Sequence, residues 1–87
     1  MKYQILEIIK GAALKRNVLR IIYIEKDGTS EGWRYVEPYS LSHDQGQIGL
    51  FAWDKNKNGI RRFSIDRIDS AEITSEIFTP RYNIEIQ

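Results

Sequence analysis

Apolar residues recur every three or four positions along the first fifteen residues of the chain. Tyr3, Leu6, Ile9 and Ala13 carry this spacing, with Ile5 and Ile8 beside them. It places the apolar side chains on one face of a helix. An isolated helix of this length is marginal in water, so its apolar stripe must pack on the rest of the protein. The pattern therefore predicts a packed helix over residues 2–15.

Short apolar runs alternate with polar turns over the remainder of the chain. Asp27-Gly28 is typical of a hairpin, and Gly59 is expected to take a positive φ at the end of another turn. Pro38 should close its strand, because proline cannot donate a ladder hydrogen bond. Predicted strands span residues 18–24, 32–37, 39–41, 47–54, 60–65 and 71–75, with a last one at 83–86. The predicted fold is mainly β with one N-terminal helix, as a small barrel or a strongly bent antiparallel sheet.

Length and composition narrow the class of protein. The 87 residues predict a single domain over residues 1–87, with its barrel over about 18–86. There is no cysteine, which excludes disulfides and zinc–thiolate sites, and 41% apolar residues argue against disorder. A net charge of +1 gives no indication that the protein binds a nucleic acid or a membrane. No apolar run has the length of a signal peptide or membrane span, so a cytoplasmic protein without a membrane partner is expected.

Basic residues are concentrated between residues 55 and 67. Arg61 shares a strand face with Phe63 and Ile65, and a guanidinium among hydrophobic side chains needs a partner. That partner is either a carboxylate of the protein, such as Glu37, or a phosphate or carboxylate of a ligand. The sequence leaves both roles open. Five basic residues stand in this segment against Asp66 alone: Lys55, Lys57, Arg61, Arg62 and Arg67.

Residues for catalysis are scarce. The only histidine, His43, lies in a predicted polar turn, where we expect it to be solvated. The chain has no Gly-rich phosphate loop, no nucleophile–base pairing and no metal-ligand spacing. We therefore expect a protein that is not an enzyme and that uses no cofactor and no metal.

Four segments carry a resemblance to one family. An Ile-Ile-Tyr strand at residues 21–23 leads into the Asp-Gly hairpin, and Arg-Tyr-Val-Glu-Pro follows at 34–38. An Arg-x-Phe-x-x-Asp-Arg-Ile element occupies 61–68, and Phe-Thr-Pro stands at 78–80. Their order and spacing resemble the WYL domain, an SH3- or Sm-like β-barrel module common in bacterial transcription regulators. The Trp-Tyr-Leu triplet that names the family falls at Ile48-Gly49-Leu50, where only the leucine is kept.

The resemblance implies a ligand-sensing module in bacterial transcription regulation. Its ligand would be a small anion, a nucleotide or a short single-stranded nucleic acid. The usual helix-turn-helix domain is missing, so a separate helix-turn-helix protein is an expected partner. Aromatic stacking by Arg34 and a structural bracket between Arg67 and Asp66 are the non-ligand alternatives. The implied ligand-binding residues are Arg34, Tyr35, Ile48, Leu50, Arg61, Arg62 and Arg67.

The competing hypothesis is a protein–protein interaction or homo-oligomerisation module with no small-molecule ligand. Its basis is the loss of Trp and Tyr at Ile48-Gly49, which leaves a flatter and more apolar strand for another chain to pair with. Under the ligand-sensing hypothesis, replacing Arg34 and Arg61 together by alanine abolishes binding without unfolding the domain. Under the assembly hypothesis, the protein self-associates.

Overall fold

The computed structural model describes residues 2–86, so both end residues of the predicted domain lie outside it. The strands form one antiparallel sheet in the order β4-β3-β2-β1-β5, which makes β4 and β5 its edges. The prediction of a mainly β protein with one N-terminal helix is confirmed. The elements in chain order are α1 (Tyr3–Lys15), β1 (Asn17–Tyr23), β2 (Trp33–Asp44), β3 (Gln47–Asp54), β4 (Gly59–Ser64), the 3₁₀ helix η1 (Ile65–Arg67) and β5 (Ile68–Ile77).

The sheet curls on itself without closing into a barrel. No ladder joins β4 to β5 in the part of the chain that the structure describes. The end of β4 nevertheless reaches the end of β1, because the Ser64 N–H donates a 3.0 Å hydrogen bond to Tyr23 Oη. Two strands separate β4 from β1 in the sheet, so this contact requires strong curvature. Of the two predicted forms, the bent sheet is the one observed.

Helix α1 packs on the inner face of the curled sheet. Leu6, Ile9 and Ala12 are buried there in one cluster with residues from every strand. The predicted apolar stripe is confirmed from Leu6 onward, whereas Tyr3 is 68% exposed. The stripe therefore begins one turn later than predicted. The sheet and η1 contribute Leu19, Ile21, Val36, Leu50, Ala52, Phe63, Ile65, Ile68 and Ala71 to this cluster.

Strand β2 continues through Pro38 instead of ending there. The pairing of β2 with β3 shifts register between Pro38 and Ser40, and such a bulge is a place where a sheet accepts a residue without an N–H. The two strands predicted over 32–37 and 39–41 are thus one strand. The turn after β3 also differs from its prediction. Asn58 takes the positive φ, at 58°, and Gly59 begins β4.

The chain after β5 covers the outer face of the sheet. Phe78 packs with Val18 and Tyr39 in a second buried cluster, and Ile84 packs against it. The strand predicted at 83–86 is wrong, although its apolar alternation is real. Ile84 packs on the second cluster while Ile86 packs on the first, so the two side chains serve different layers.

An ion pair fastens this covering segment. Glu37, only 3% exposed, accepts hydrogen bonds from Tyr39 Oη at 2.8 Å and from Arg81 Nε at 3.0 Å. The Arg81 guanidinium also lies 4.3 Å from the centre of the Trp53 ring. Burial of the phenol raises the pKa of Tyr39 to about 12, so Tyr39 stays protonated and donates to Glu37 at neutral pH. Glu37 is therefore engaged by Arg81 and not by Arg61.

Candidate anion-binding cleft

An open cleft of about 1210 Å³ lies where the curled sheet fails to close. One wall is formed by the end of β4 and by η1, and the other by the loop over residues 24–32 between β1 and β2. Tyr23 and Phe63 lie in the cleft with their rings edge to face, 5.1 Å between centroids. The hydrogen bond from Ser64 N–H to Tyr23 Oη joins the two walls.

Local turn chemistry shapes the loop that forms one wall. The Gly28 N–H donates to the Glu25 carbonyl at 2.9 Å, and Gly28 takes a φ of 87°, which suits glycine. Asp27 Oδ1 accepts from the Thr29 N–H at 3.0 Å and from the Thr29 hydroxyl at 2.7 Å. These hydrogen bonds lower the pKa of Asp27. The Asp-Gly turn predicted from the sequence is present, within a longer loop.

Positive charge exceeds negative charge in the lining of the cleft. The acidic members are largely engaged inside the protein, since Glu25 pairs with Arg34, Glu31 pairs with Lys57, and Asp27 accepts from Thr29. The hydrogen bond from Lys57 lowers the pKa of Glu31. The lining contains six basic residues and four acidic ones, namely Lys26, Arg34, Lys57, Arg61, Arg62 and Arg67 against Glu25, Asp27, Glu31 and Asp66.

Arg34 is held by the protein itself at the back of the cleft. Its Nε and Nη2 donate to Asp54 Oδ2 at 3.1 and 2.8 Å, and its Nη1 donates to Glu25 Oε2 at 2.9 Å. Arg34 is 4% exposed and Asp54 is fully buried. Burial disfavours the charged guanidinium, but the hydrogen bonds and charge of Asp54 outweigh this and raise the pKa of Arg34. The guanidinium also lies 5.0 Å from the Phe63 ring centre, so its aromatic contact is with a residue of another strand and not with its sequence neighbours Trp33 and Tyr35.

Asp54 is fixed in turn by the β3–β4 turn. Its Oδ1 accepts the backbone N–H groups of Asn56 at 2.9 Å and Lys57 at 3.2 Å. Both carboxylate oxygens are therefore used, one on the turn and one on Arg34. Buried charges need this degree of satisfaction. The Arg34–Asp54 pair is thus a structural element beneath the cleft.

The other three arginines of the predicted site have no carboxylate partner among residues 2–86. Arg61 is exposed on β4. Arg67 donates from Nη1 to the Glu25 carbonyl at 3.2 Å, which leaves its charge uncompensated. Arg62 donates from Nε to the Ser42 hydroxyl at 3.3 Å. The ion pair with Glu37 considered for Arg61 is absent, because Arg81 occupies that carboxylate.

Three predicted site residues lie away from the cleft. Leu50 is fully buried in the core, and Ile48 packs against the same core. Tyr35 is 37% exposed and pairs across the sheet with Arg20, on the face opposite to Arg34. The structure therefore brings together Arg34, Arg61, Arg62 and Arg67, and it does not bring Tyr35, Ile48 or Leu50 to them.

Other cleft residues were not predicted from the sequence to belong to the site. Tyr23, Lys26 and Ser64 line the cleft beside the arginines. Their proximity depends on the curl of the sheet, which brings residue 23 next to residue 64. The one available signal was Lys26 beside the Asp-Gly turn, in a loop directly after an apolar strand.

Within residues 2–86 there is no group of three or more His, Asp or Glu side chains arranged to hold a metal ion. No helix in this described part is long and apolar enough to cross a bilayer. The groups that the cleft offers to a ligand are guanidinium groups, the Tyr23 ring and hydroxyls. Guanidinium groups in this setting bind carboxylates and phosphates through charge-assisted hydrogen bonds.

Comparison with known proteins agrees with this architecture. Among solved structures, the chain is similar to proteasome accessory factor B/C (PafBC) of Arthrobacter aurescens, with a TM-score of 0.81 and 25% sequence identity. The likeness covers 87% of this chain but only 12% of that one, so it concerns a small part of the larger protein. No curated protein matches the sequence.

A family model also matches the sequence directly. The WYL domain model covers residues 4–73, from the first turn of α1 to the middle of β5. The match includes both walls of the cleft and the Arg-x-Phe-x-x-Asp-Arg-Ile element. The resemblance found in the sequence is therefore confirmed, and the chain belongs to the WYL domain family.

Proposed function

We propose that this WYL domain is a ligand-sensing module that binds an anionic ligand in the cleft. The ligand is a small anion, a nucleotide or a short single-stranded nucleic acid. Arg61, Arg62 and Arg67 bind it, and Arg34 supports them from beneath. The observation that carries the proposal is that these three arginines surround one cleft without a carboxylate partner in the described chain.

The contrast with Arg34 supports this division of roles. Where the fold needs a buried guanidinium, it supplies two carboxylates, Asp54 and Glu25. At the mouth of the same cleft, none of the other three arginines forms an ion pair with a carboxylate of residues 2–86. Uncompensated arginines repel one another and weaken the fold slightly, and a polyanion removes that repulsion on binding. Tyr23 adds ring surface beside the charges, whereas the Phe63 ring is 1% exposed and supports Tyr23 from the core.

The module would act in transcription regulation together with a helix-turn-helix protein. This part of the proposal rests on membership of the WYL domain family, a module common in bacterial transcription regulators. Ligand occupancy would change the loop over residues 24–32, because Arg67 and Arg34 both hold its Glu25. A ligand that recruits Arg67 competes with the Glu25 carbonyl, and the loop responds.

Binding of single-stranded DNA tests the proposal. We expect wild type to bind a fluorescein-labelled oligodeoxythymidine of about 10 nucleotides, a length within the site size of single-strand-binding barrels. Arg61→Ala with Arg67→Ala should weaken this binding at least about tenfold. Each lost phosphate contact should reduce the salt slope by about 0.7, so the double variant loses about 1.4. Fluorescence anisotropy at about 50 and 200 mM salt measures both quantities.

A matched control separates local contacts from net charge. Lys10→Ala with Lys15→Ala removes the same charge from helix α1, outside the cleft. If both double variants lose affinity equally, binding is non-specific and the cleft is not the site. A parallel titration with a mononucleotide distinguishes a sensor of small ligands. Such a sensor would bind the mononucleotide with nearly the same affinity as the oligonucleotide. Failure of wild type to bind either probe contradicts the proposal.

A second candidate function, self-association, has a different observation in its favour. Leu14 is 82% exposed and Ile77 is 64% exposed, on helix α1 and on the edge strand β5. An edge strand with apolar side chains is a template for pairing with another chain. The site first considered for assembly is less suitable, because Ile48 packs on the core and the Arg62 side chain covers Gly49.

Light scattering across the micromolar range tests the second candidate. A homo-oligomer would show at least twice the chain mass, and Leu14→Ser with Ile77→Ser should return it to a monomer. Both side chains are exposed, so these substitutions should leave the melting temperature nearly unchanged. A wild type that stays monomeric at every concentration rules self-association out.

A further inference from the structure

The Arg62 side chain lies across strand β3, over Gly49. A Cβ atom built on Gly49 would stand 2.5 Å from Arg62 Nε and 2.6 Å from Nη2, closer than real Cβ contacts come. The guanidinium therefore occupies the space where any other residue would carry a side chain. Gly49 is buried by this cover even though it has no side chain of its own.

One edge of this guanidinium is tethered and the other is open. Its Nε donates to the Ser42 hydroxyl at 3.3 Å, and Ser42 lies opposite Gly49 on the neighbouring strand. Neither Nη atom has a hydrogen-bond partner among the described residues. A guanidinium held at Nε presents both Nη groups end-on, which is a geometry for a bidentate contact with an oxyanion.

We infer that Gly49 and Ser42 position the Arg62 guanidinium as an oxyanion subsite next to the cleft. This inference rests on the proposed anion-binding function and specifies its ligand. Arg61 and Arg62 are neighbours on an edge strand and project to opposite faces. A ligand that engages both arginines must carry at least two separated anionic groups and pass around the free edge of β4. The ligand is therefore a polyanion with several phosphoryl or carboxylate groups, rather than a single anion.

The glycine at residue 49 makes room for the Arg62 side chain, which a residue of the family's aromatic triplet would not do. At residue 49 the WYL triplet would place a tyrosine, and its side chain would exclude the present position of Arg62. With glycine at residue 49 the tyrosine ring is absent, and the Arg62 guanidinium lies in the space that the ring would fill. Gly49 is then a positioning residue that determines which ligand the cleft accepts, with charge recognition in place of ring stacking.

A single methyl group tests the positioning role. Gly49 has no positive φ, so alanine fits its backbone, and the obstruction is the flexible end of Arg62. Gly49→Ala should weaken tripolyphosphate binding on the order of fivefold, a modest loss because the charged contact is exposed to solvent. Orthophosphate should bind the wild type much more weakly than tripolyphosphate does, because one phosphoryl group cannot span both arginines. Isothermal titration calorimetry measures both ligands, and citrate distinguishes carboxylate from phosphate recognition.

Gly59→Ala is the matched control, because a Cβ there meets no atom within 4 Å and the φ is not positive. It should bind tripolyphosphate like wild type. If Gly49→Ala also binds like wild type, the inference is overturned while the proposed function stands. If wild type does not bind tripolyphosphate, the polyanion subsite is overturned, and the oligonucleotide titration judges the proposed function separately. The Arg62 Nε–H resonance in NMR should move in Gly49→Ala only, and an unmoved resonance contradicts the positioning role.

Discussion

Replacing Arg34 by alanine is expected to destabilise the domain by about 3–5 kcal/mol, the cost of leaving a buried charge without its partner. Asp54 would lose both hydrogen bonds to its Oδ2 while it remains fully buried. The total free energy of unfolding of so small a domain is about 5–10 kcal/mol, so most of its stability would be lost. Chemical denaturation followed by tryptophan fluorescence measures the loss.

Arg61→Ala is the control for this substitution, since Arg61 is exposed and has no ion-pair partner in the described chain. Its expected effect on stability is within about 0.5 kcal/mol. The two substitutions should thus have different effects: Arg34→Ala lowers the free energy of unfolding, and Arg61→Ala lowers the affinity for the ligand. Equal stability of both variants would show that Asp54 finds another partner and that Arg34 is dispensable to the fold. The sequence had placed both arginines in the ligand site without a cost in stability.

Replacing Leu6 and Ile9 together by alanine is expected to unfold most of the protein at room temperature. Both side chains are buried under the sheet, with Ile9 fully inaccessible. Each large-to-small change of this kind costs about 2–5 kcal/mol, so the sum approaches the whole stability of the domain. Circular dichroism should show loss of strand signal as well as helix signal, because the helix contributes to a core shared with every strand.

Exposed positions on the same helix provide the comparison. Tyr3→Ala and Leu14→Ala remove side chains that are 68% and 82% exposed, so they should leave the denaturation midpoint nearly unchanged. A midpoint that survives the Leu6 and Ile9 substitutions would mean that α1 is an appendage on a sheet that folds without it. That result would favour a role for the helix in binding another protein.

Periodicity predicted the helix and most strands because these depend on neighbouring residues. The predicted strand end at Pro38 was wrong. Proline ends a strand only where a ladder hydrogen bond needs its N–H, and the bulge between Pro38 and Ser40 makes that hydrogen bond unnecessary. Asn58 took the left-handed conformation expected of Gly59, as asparagine does more readily than other residues. The alternation at 83–86 was real, but it served two clusters rather than the two faces of a strand.

The site was predicted in part, and for a clear physical reason. Four arginines were identified from composition, strand parity and family resemblance, and the structure gathers them at one cleft. Their roles depend on register, which the sequence does not contain. Asp54 lies 20 residues from Arg34, and only the pairing of β2 with β3 brings the two together. The sequence showed that residue 49 lacks the family's aromatic side chain. That the Arg62 side chain lies over Gly49 instead depends on the pairing of β3 with β4.

The segment after β5 bears on where a shortened version of this domain can safely end. The family match stops at residue 73, whereas Phe78, Arg81 and Ile84 cover Val18, Tyr39 and Glu37. A protein cut at the end of the match would expose an apolar cluster and leave the Glu37 carboxylate without its arginine. Poor solubility of such a fragment would then reflect a missing cover and would say nothing about ligand binding. Boundaries for recombinant WYL domains of this kind are better chosen from the packing of this tail than from sequence similarity.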